Sequence, residues 1–191
     1  MSFCMSPIWH VCDATAQRAL RTHMKPLAGA GAARMTFTRG SDPEWSPRAR
    51  SAFEFLRRHA SRRYSNDALM RALRAADWTP EDSTPSPFLF TVEVPHHFDP
   101  DTEVKTGGTF GVLFQLNDGA MRGMLAVAET FRRQGVGSAL LDAHVNLLGT
   151  PSMWVHRVNV PAQQFLLNNG LTVQNLNANG VLRFGSDDSD D

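Results

Sequence analysis

The chain has 191 residues, 19 basic and 19 acidic side chains and hence no formal net charge, and 42% of it is hydrophobic. This is the composition of a soluble globular protein long enough for one domain with a real core. No apolar run approaches the roughly 18 residues of a membrane helix, and Met1 to Cys12 lacks the basic start and apolar stretch of a signal peptide, so a cytoplasmic protein without membrane contact is expected.

A neutral chain with a single tyrosine, Tyr64, and no reading motif makes nucleic acid an unlikely partner. Charge is unevenly spread. Arginines crowd Ser46 to Ala76, where Glu54 and Asp67 are the only acids, while Asp77 to Asp118 is acidic apart from Lys105. A basic helical face attracts phosphates or an acidic partner, and it serves equally as a solvated surface. Cys4 and Cys12 lie too near the chain end to staple much. With His10 they fall short of a four-ligand metal set, so plain thiols and no metal are expected.

In chain order, residues 1–33 read as an extension: Pro7 to Met24 suits one helix, and Leu27 to Ala33 a linker of small residues. The domain proper is expected over 34–185, followed by a disordered acidic tail over 186–191. Met35 and Phe37 alternate as in a short strand ended by Gly40. Ser46-Pro47 opens a helix, with Ala49, Ala52, Phe53, Leu56 and Ala60 at helical spacing. Ser65 to Ala76 suits a second helix, with Leu69, Met70 and Leu73 facing inward.

The period then changes. Phe88 to Val94 is a strand expected to stop at Pro95, and His96 to Gly108 reads as a polar loop. Thr109 to Leu116 and Ala120 to Val127 form a hairpin around Asn117-Asp118-Gly119. Val136 to Leu148 is an apolar helix closed by Gly149. Met153 to Val160 is a strand, Pro161 to Asn169 a short helix, and Leu171 to Phe184 a final strand or hairpin. The plan is mixed α/β with a largely antiparallel first half.

The chemistry centres on Arg132-Arg133-Gln134-Gly135-Val136-Gly137-Ser138, between a strand and a helix. Two glycines let the backbone turn sharply and approach a ligand. The helix start turns free N–H groups and a positive dipole end to the same place, which suits phosphate oxygens. A glycine-rich turn between packed elements is the alternative. Gly137 is followed by Ser138-Ala139, not by Lys and Ser or Thr, which excludes a Walker loop. Two glycines after a hairpin strand do not fit a dinucleotide fingerprint.

The stretch from Leu125 to Leu141 resembles the central motif of GNAT N-acetyltransferases, Arg/Gln-x-x-Gly-x-Gly/Ala, through Arg132, Gly135 and Gly137. Asn159 to Leu171 resembles the same superfamily's Asn-x-x-Ala stretch, through Asn159, Ala162 and Gly170. The resemblance covers Arg34 to Phe184 and leaves the first 33 residues outside. It implies a GNAT acyl-CoA N-acyltransferase fold (α/β, or α+β), with a mixed, mostly antiparallel sheet and helices on both faces. It further implies acetyl-CoA as acyl donor, an amine acceptor that is a small molecule or a protein, and a possible homodimer.

By position, the resemblance assigns Leu125, Ala126 and Val127 to pantetheine as in strand addition. It assigns Arg132, Arg133, Gln134, Gly135, Val136, Gly137 and Ser138 to the pyrophosphate, and Asn159, Ala162, Phe165 and Leu166 to the thiol end. Phe165 and Leu166 serve equally well as core residues. The family's usual acid, a tyrosine, would stand at Leu166, so the usual proton donor is missing.

His156 and Glu129 are the substitute proton carriers in reach of this region. His144 is expected to face away. His96, His97, Asp99, Asp101 and Glu103 crowd one loop as cation ligands or, more simply, as a solvated acceptor-side loop. The leading expectation is an N-acetyltransferase. A catalytically inactive module of the same fold, binding CoA or a protein partner, is the alternative.

Overall fold

The computed structural model describes residues 7–24, 33–59, 87–99, 104–116 and 122–186, with the backbone alone described over 7–13, 94–99, 104–107 and at 122. The expected helix Ser65 to Ala76, the linker from Leu27, the turn Asn117-Asp118-Gly119 and the acidic end from Asp187 lie outside these residues, as do the side chains of Cys4, His10 and Cys12.

Helix α1 spans Pro7–His23, β1 Arg34–Arg39, α2 Trp45–His59, β2 Phe88–Asp99, β3 Val104–Gln115 and β4 Arg122–Val127. A short 3-10 turn, Glu129–Phe131, leads to α3, Val136–Leu148. Then come β5 Ser152–His156, α4 Val160–Asn168, β6 Thr172–Leu176 and β7 Val181–Gly185. The strands form one seven-stranded sheet in the order β1-β2-β3-β4-β5-β7-β6. Every neighbouring pair is antiparallel except β4 with β5.

The sheet alternates its side chains between two helical layers. On one face, an added Cβ at Gly111 would meet Val136 and Leu140 of α3, and the Phe90 ring lies 5.7 Å from that of His144. On the other face, Phe114 meets Trp45 of α2 at 6.5 Å. Ala49, Ala52, Phe55 and Leu56, one stripe of α2, are buried there. Helices therefore cover both faces, as expected.

Helix α1 belongs to this body. Ala16, Ala19 and Leu20, at i, i+3 and i+4, join the common core, and Gln17 Nε2 donates to the Met35 carbonyl of β1 at 3.0 Å. The segment expected as an extension thus contributes a packed helix against α3 and β1.

Two strands run further than expected. Pro95 does not end β2, which continues to Asp99, and β3 begins at Val104, so much of the expected polar loop pairs as strand, with His97 opposite Thr106. The ladder is irregular between Val94 and His97. Such an irregularity is where a proline, with no N–H to give, is tolerated. Of His96, His97 and Asp99 only the backbone is described, and Asp101 and Glu103 lie outside the described residues. β5, by contrast, ends at His156 rather than Val160, because Asn159 begins the next helix.

Candidate functional site

The sheet forks beside the glycine loop. β4 pairs with β3 along its length, from Gly123 opposite Gln115 to Val127 opposite Gly111. With β5 it pairs only at Arg122↔Ser152 and Gly123↔Met153, although both strands run on. From Met124 onward the β5-facing edge of β4 carries no ladder. Leu125, Ala126 and Val127, the residues expected to pair with pantetheine, lie along that edge.

At the end of β4 the chain makes its 3-10 turn and enters the loop. Arg132 turns its guanidinium back, Nε donating to the Val127 carbonyl at 3.3 Å, and Gln134 Nε2 donates to the Thr130 carbonyl at 2.9 Å. Both side chains thereby fasten the loop to the strand end. Arg133 is left-handed at φ 62°, and Gly135, left-handed at φ 87°, precedes α3 without a side-chain cap. The first intrahelical bond runs from Ala139 N–H to the Gly135 carbonyl at 2.9 Å. The amides of Gly135, Val136, Gly137 and Ser138 precede that bond and have no intrahelical acceptor. These are the orphan donors of a helix start, and they carry its positive dipole end.

The two glycines prove to be packing residues. A Cβ on Gly135 would stand 1.9 Å from the carbonyl oxygen of His23, the last residue of α1. A Cβ on Gly137 would stand 2.9 Å from Cζ of Phe165 and 3.8 Å from a methyl group of Leu125. Sequence spacing implies room for a ligand at these positions, whereas here the space is taken by α1 and by α4. The amide hydrogens beside the glycines stay available.

α4 fixes the far wall. Asn159 is its cap, Oδ1 accepting from Ala162 N–H at 3.4 Å, with Pro161 in the first turn. Ala162 and Phe165 are half-buried, and Phe165 bridges the helix to the first turn of α3. Leu166, at the position of the family's tyrosine, is 2% exposed and belongs to the core.

His156 and Glu129 lie at the C-terminal ends of the parallel strands β5 and β4, on the two sides of the fork. Glu129 is exposed at the start of the 3-10 turn. His156 is half-buried, its Nδ1 accepting from Val158 N–H at 3.4 Å. His144 makes its contacts away from the loop, with Phe90 and Gly149. It is buried under the sheet beside Phe90, Nδ1 donating to the Gly149 carbonyl at 2.8 Å, and burial lowers its pKa to about 4. Among the described residues, no group of three or more His, Cys, Asp or Glu side chains is placed to hold a metal ion.

The contact of His23 with Gly135 is the feature the sequence did not disclose. Ala16, Ala19 and Leu20 mark a helix face that needs a partner, but nothing in their spacing names α3 as that partner.

The order of elements, the forked β4–β5 junction and the glycine loop at the start of α3 make up the acyl-CoA N-acyltransferase fold that the GNAT resemblance implies. No family model and no curated protein matches the chain. Solved structures that do resemble it include the N-acetyltransferase PseH of Campylobacter jejuni in complex with acetyl coenzyme A, at TM-score 0.48 and 15% identity, over 81% of this chain and 99% of that one. A spermidine N-acetyltransferase chimera, of SpeG from Vibrio cholerae and hSSAT, has TM-score 0.49 and 14% identity over 80% and 94%. A domain from Methanocaldococcus jannaschii has TM-score 0.47 and 6% identity over 81% and 98%. No helix among the described residues is long and apolar enough to cross a membrane.

Proposed function

We propose that this chain is an acetyl-CoA-dependent N-acyltransferase of the GNAT type, acting on a primary amine. The observation that carries the reading is the fork: β4 leaves its β5-facing edge unpaired from Met124 onward, beside the amides of Gly135 to Ser138 that open α3. An unpaired strand edge suits the two amide groups of pantetheine, and the helix start suits a diphosphate. The residues present fit the donor: Leu125, Ala126 and Val127 along the arm, Arg133 to Ser138 around the phosphates, Ala162 and Phe165 on the opposite wall.

When bound, the thioester supplies an activated acyl carbon. A neutral amine attacks it, the C–N bond forms, the C–S bond breaks, and the thiolate leaves. The amine proton must pass to a base, and Glu129 or His156, flanking the fork, would receive it. Leu166 cannot protonate the thiolate, so holding amine and thioester together supplies more of the rate than acid catalysis does.

Calorimetry with acetyl-CoA, followed by thiol release with a panel of amines, tests the reading. Acetyl-CoA at a hundred times its Kd should stabilise the fold by about 2.7 kcal/mol. Replacing Ser138 with Glu, which sets a carboxylate among the loop amides, should abolish that stabilisation. Failure of acetyl-CoA to bind would overturn the reading. Binding without thiol release from any amine would favour the non-catalytic module, the reading to which the buried Leu166 points.

A further inference from the structure

We propose that α1 is a positioning element of the glycine loop, its C-terminal end holding Gly135 in the conformation that presents the loop amides. The carbonyl of His23 lies against Gly135 so closely that a Cβ there would stand 1.9 Å from its oxygen, 2.6 Å from its carbon and 3.2 Å from Met24 N. His23 Nε2 also reaches Asp142 Oδ2 of α3 at 3.4 Å. The C-terminal turn of α1 therefore grips α3 at two places, the residue before its first turn and a residue in its middle.

The direction of approach decides what this contact does. α1 packs against α3 and against the edge strand β1, with β2 and β3 between that strand and β4. It reaches the loop over the β1 side of α3. The burial of Ala16, Ala19 and Leu20, at 0%, 2% and 4% exposed, makes α1 a fixed wall. The loop is left-handed at Arg133 and Gly135, and the side-chain bonds of Arg132 and Gln134 tie it to the end of β4 and the 3-10 turn alone. The wall adds a hold on the α3 side, so docking of α1 keeps Gly135 in place.

This rests on the loop as the diphosphate site, but its test separates the two. In the full chain, Leu20→Ala loosens α1, and Leu56→Ala, on α2 across the sheet, is the control of equal chemistry; Leu20→Val serves where Leu20→Ala does not fold. Backbone 15N order parameters of Arg133, Gln134 and Gly135 are measured without ligand. They should fall from the rigid value of about 0.85 to below about 0.6 in the Leu20 variant alone. Kd for CoA should then rise about tenfold in that variant, and not in Leu56→Ala. Unchanged loop order in the Leu20 variant, equal loss in Leu56→Ala, or an unchanged Kd for CoA in the Leu20 variant would overturn the proposal. If the unmodified chain does not bind CoA, the reading of the site fails, and the order parameters still decide whether α1 braces the loop.

Discussion

The ring of Phe165 closes over the backbone of Gly137, leaving a Cβ at that glycine only 2.9 Å from Cζ and 3.0 Å from Cε2. Alanine at 137 gains about 1 kcal/mol of helix propensity over glycine and loses more to this overlap, since the ring must turn off its rotamer or α4 must move. We expect Gly137→Ala to destabilise the fold, and Phe165→Leu to relieve the overlap. A double-mutant cycle by chemical denaturation should give a favourable coupling between the two of about 0.5–3 kcal/mol. Additive effects would show that the ring does not set the glycine requirement.

Gly135→Ala meets backbone instead of a ring. The residue is left-handed at φ 87°, which costs a non-glycine residue roughly 1–2 kcal/mol. The new methyl also strikes the His23 carbonyl, which has no rotamer to change. A loss of more than about 2 kcal/mol is expected, with α1 displaced. Amide exchange over Ala16 to Met24 should accelerate in this variant more than exchange in α2. Because the substitution disturbs α1 as well as the loop, a charged residue at 138 is the cleaner probe of anion binding.

His144 gives stability a pH dependence. Burial lowers its pKa from 6.5 to about 4, against the opposing pull of the Gly149 carbonyl. As pH falls through 6.5 the unfolded chain takes up a proton that the folded chain refuses until about 4. Stability from the neutral ring is therefore complete above the unfolded value and is lost between the two, by about 3 kcal/mol. Urea midpoints measured from pH 7 to pH 4 should fall accordingly, and His144→Gln should flatten the decline. A midpoint constant over this range would mean that the ring is not desolvated.

A tyrosine at 166, where the resemblance would place one, should not supply an acid. Leu166 is 2% exposed, and a phenol there must bury its hydroxyl in the core or push the helix outward. Leu166→Tyr is expected to cost about 1–3 kcal/mol and to leave any thiol release unimproved. A variant with normal stability and faster release would show that the position opens onto the reacting atoms.

Periodicity and breakers made most of the architecture legible. The stripes of α2 and α3, the strands from Phe88 and Thr109, and the stop at Gly149 all follow from local pattern. What failed was local in form but tertiary in cause. Pro95 looked like a strand end, yet β2 runs through it because the pairing with β3 becomes irregular there. His144 carried no sign in the sequence of a buried partner, yet the Gly149 carbonyl supplies one. Of the candidate site, the loop between a strand and a helix was readable from residue types, whereas Asn159, expected in a strand, caps the following helix. The tenants of the space beside Gly135 and Gly137 were not, because His23 and Phe165 lie far away along the chain.

The two-rung junction between β4 and β5 has a mechanical consequence. A sheet transmits cooperativity through its ladders, and here one narrow bridge links a four-strand leaf to the leaf formed by β5, β7 and β6. The second leaf can tilt as a body about Arg122 and Gly123 at little cost in backbone bonding. Breathing of the molecule should therefore be concentrated at this seam, with the carboxyl-terminal third opening and reclosing as a unit before the rest unfolds.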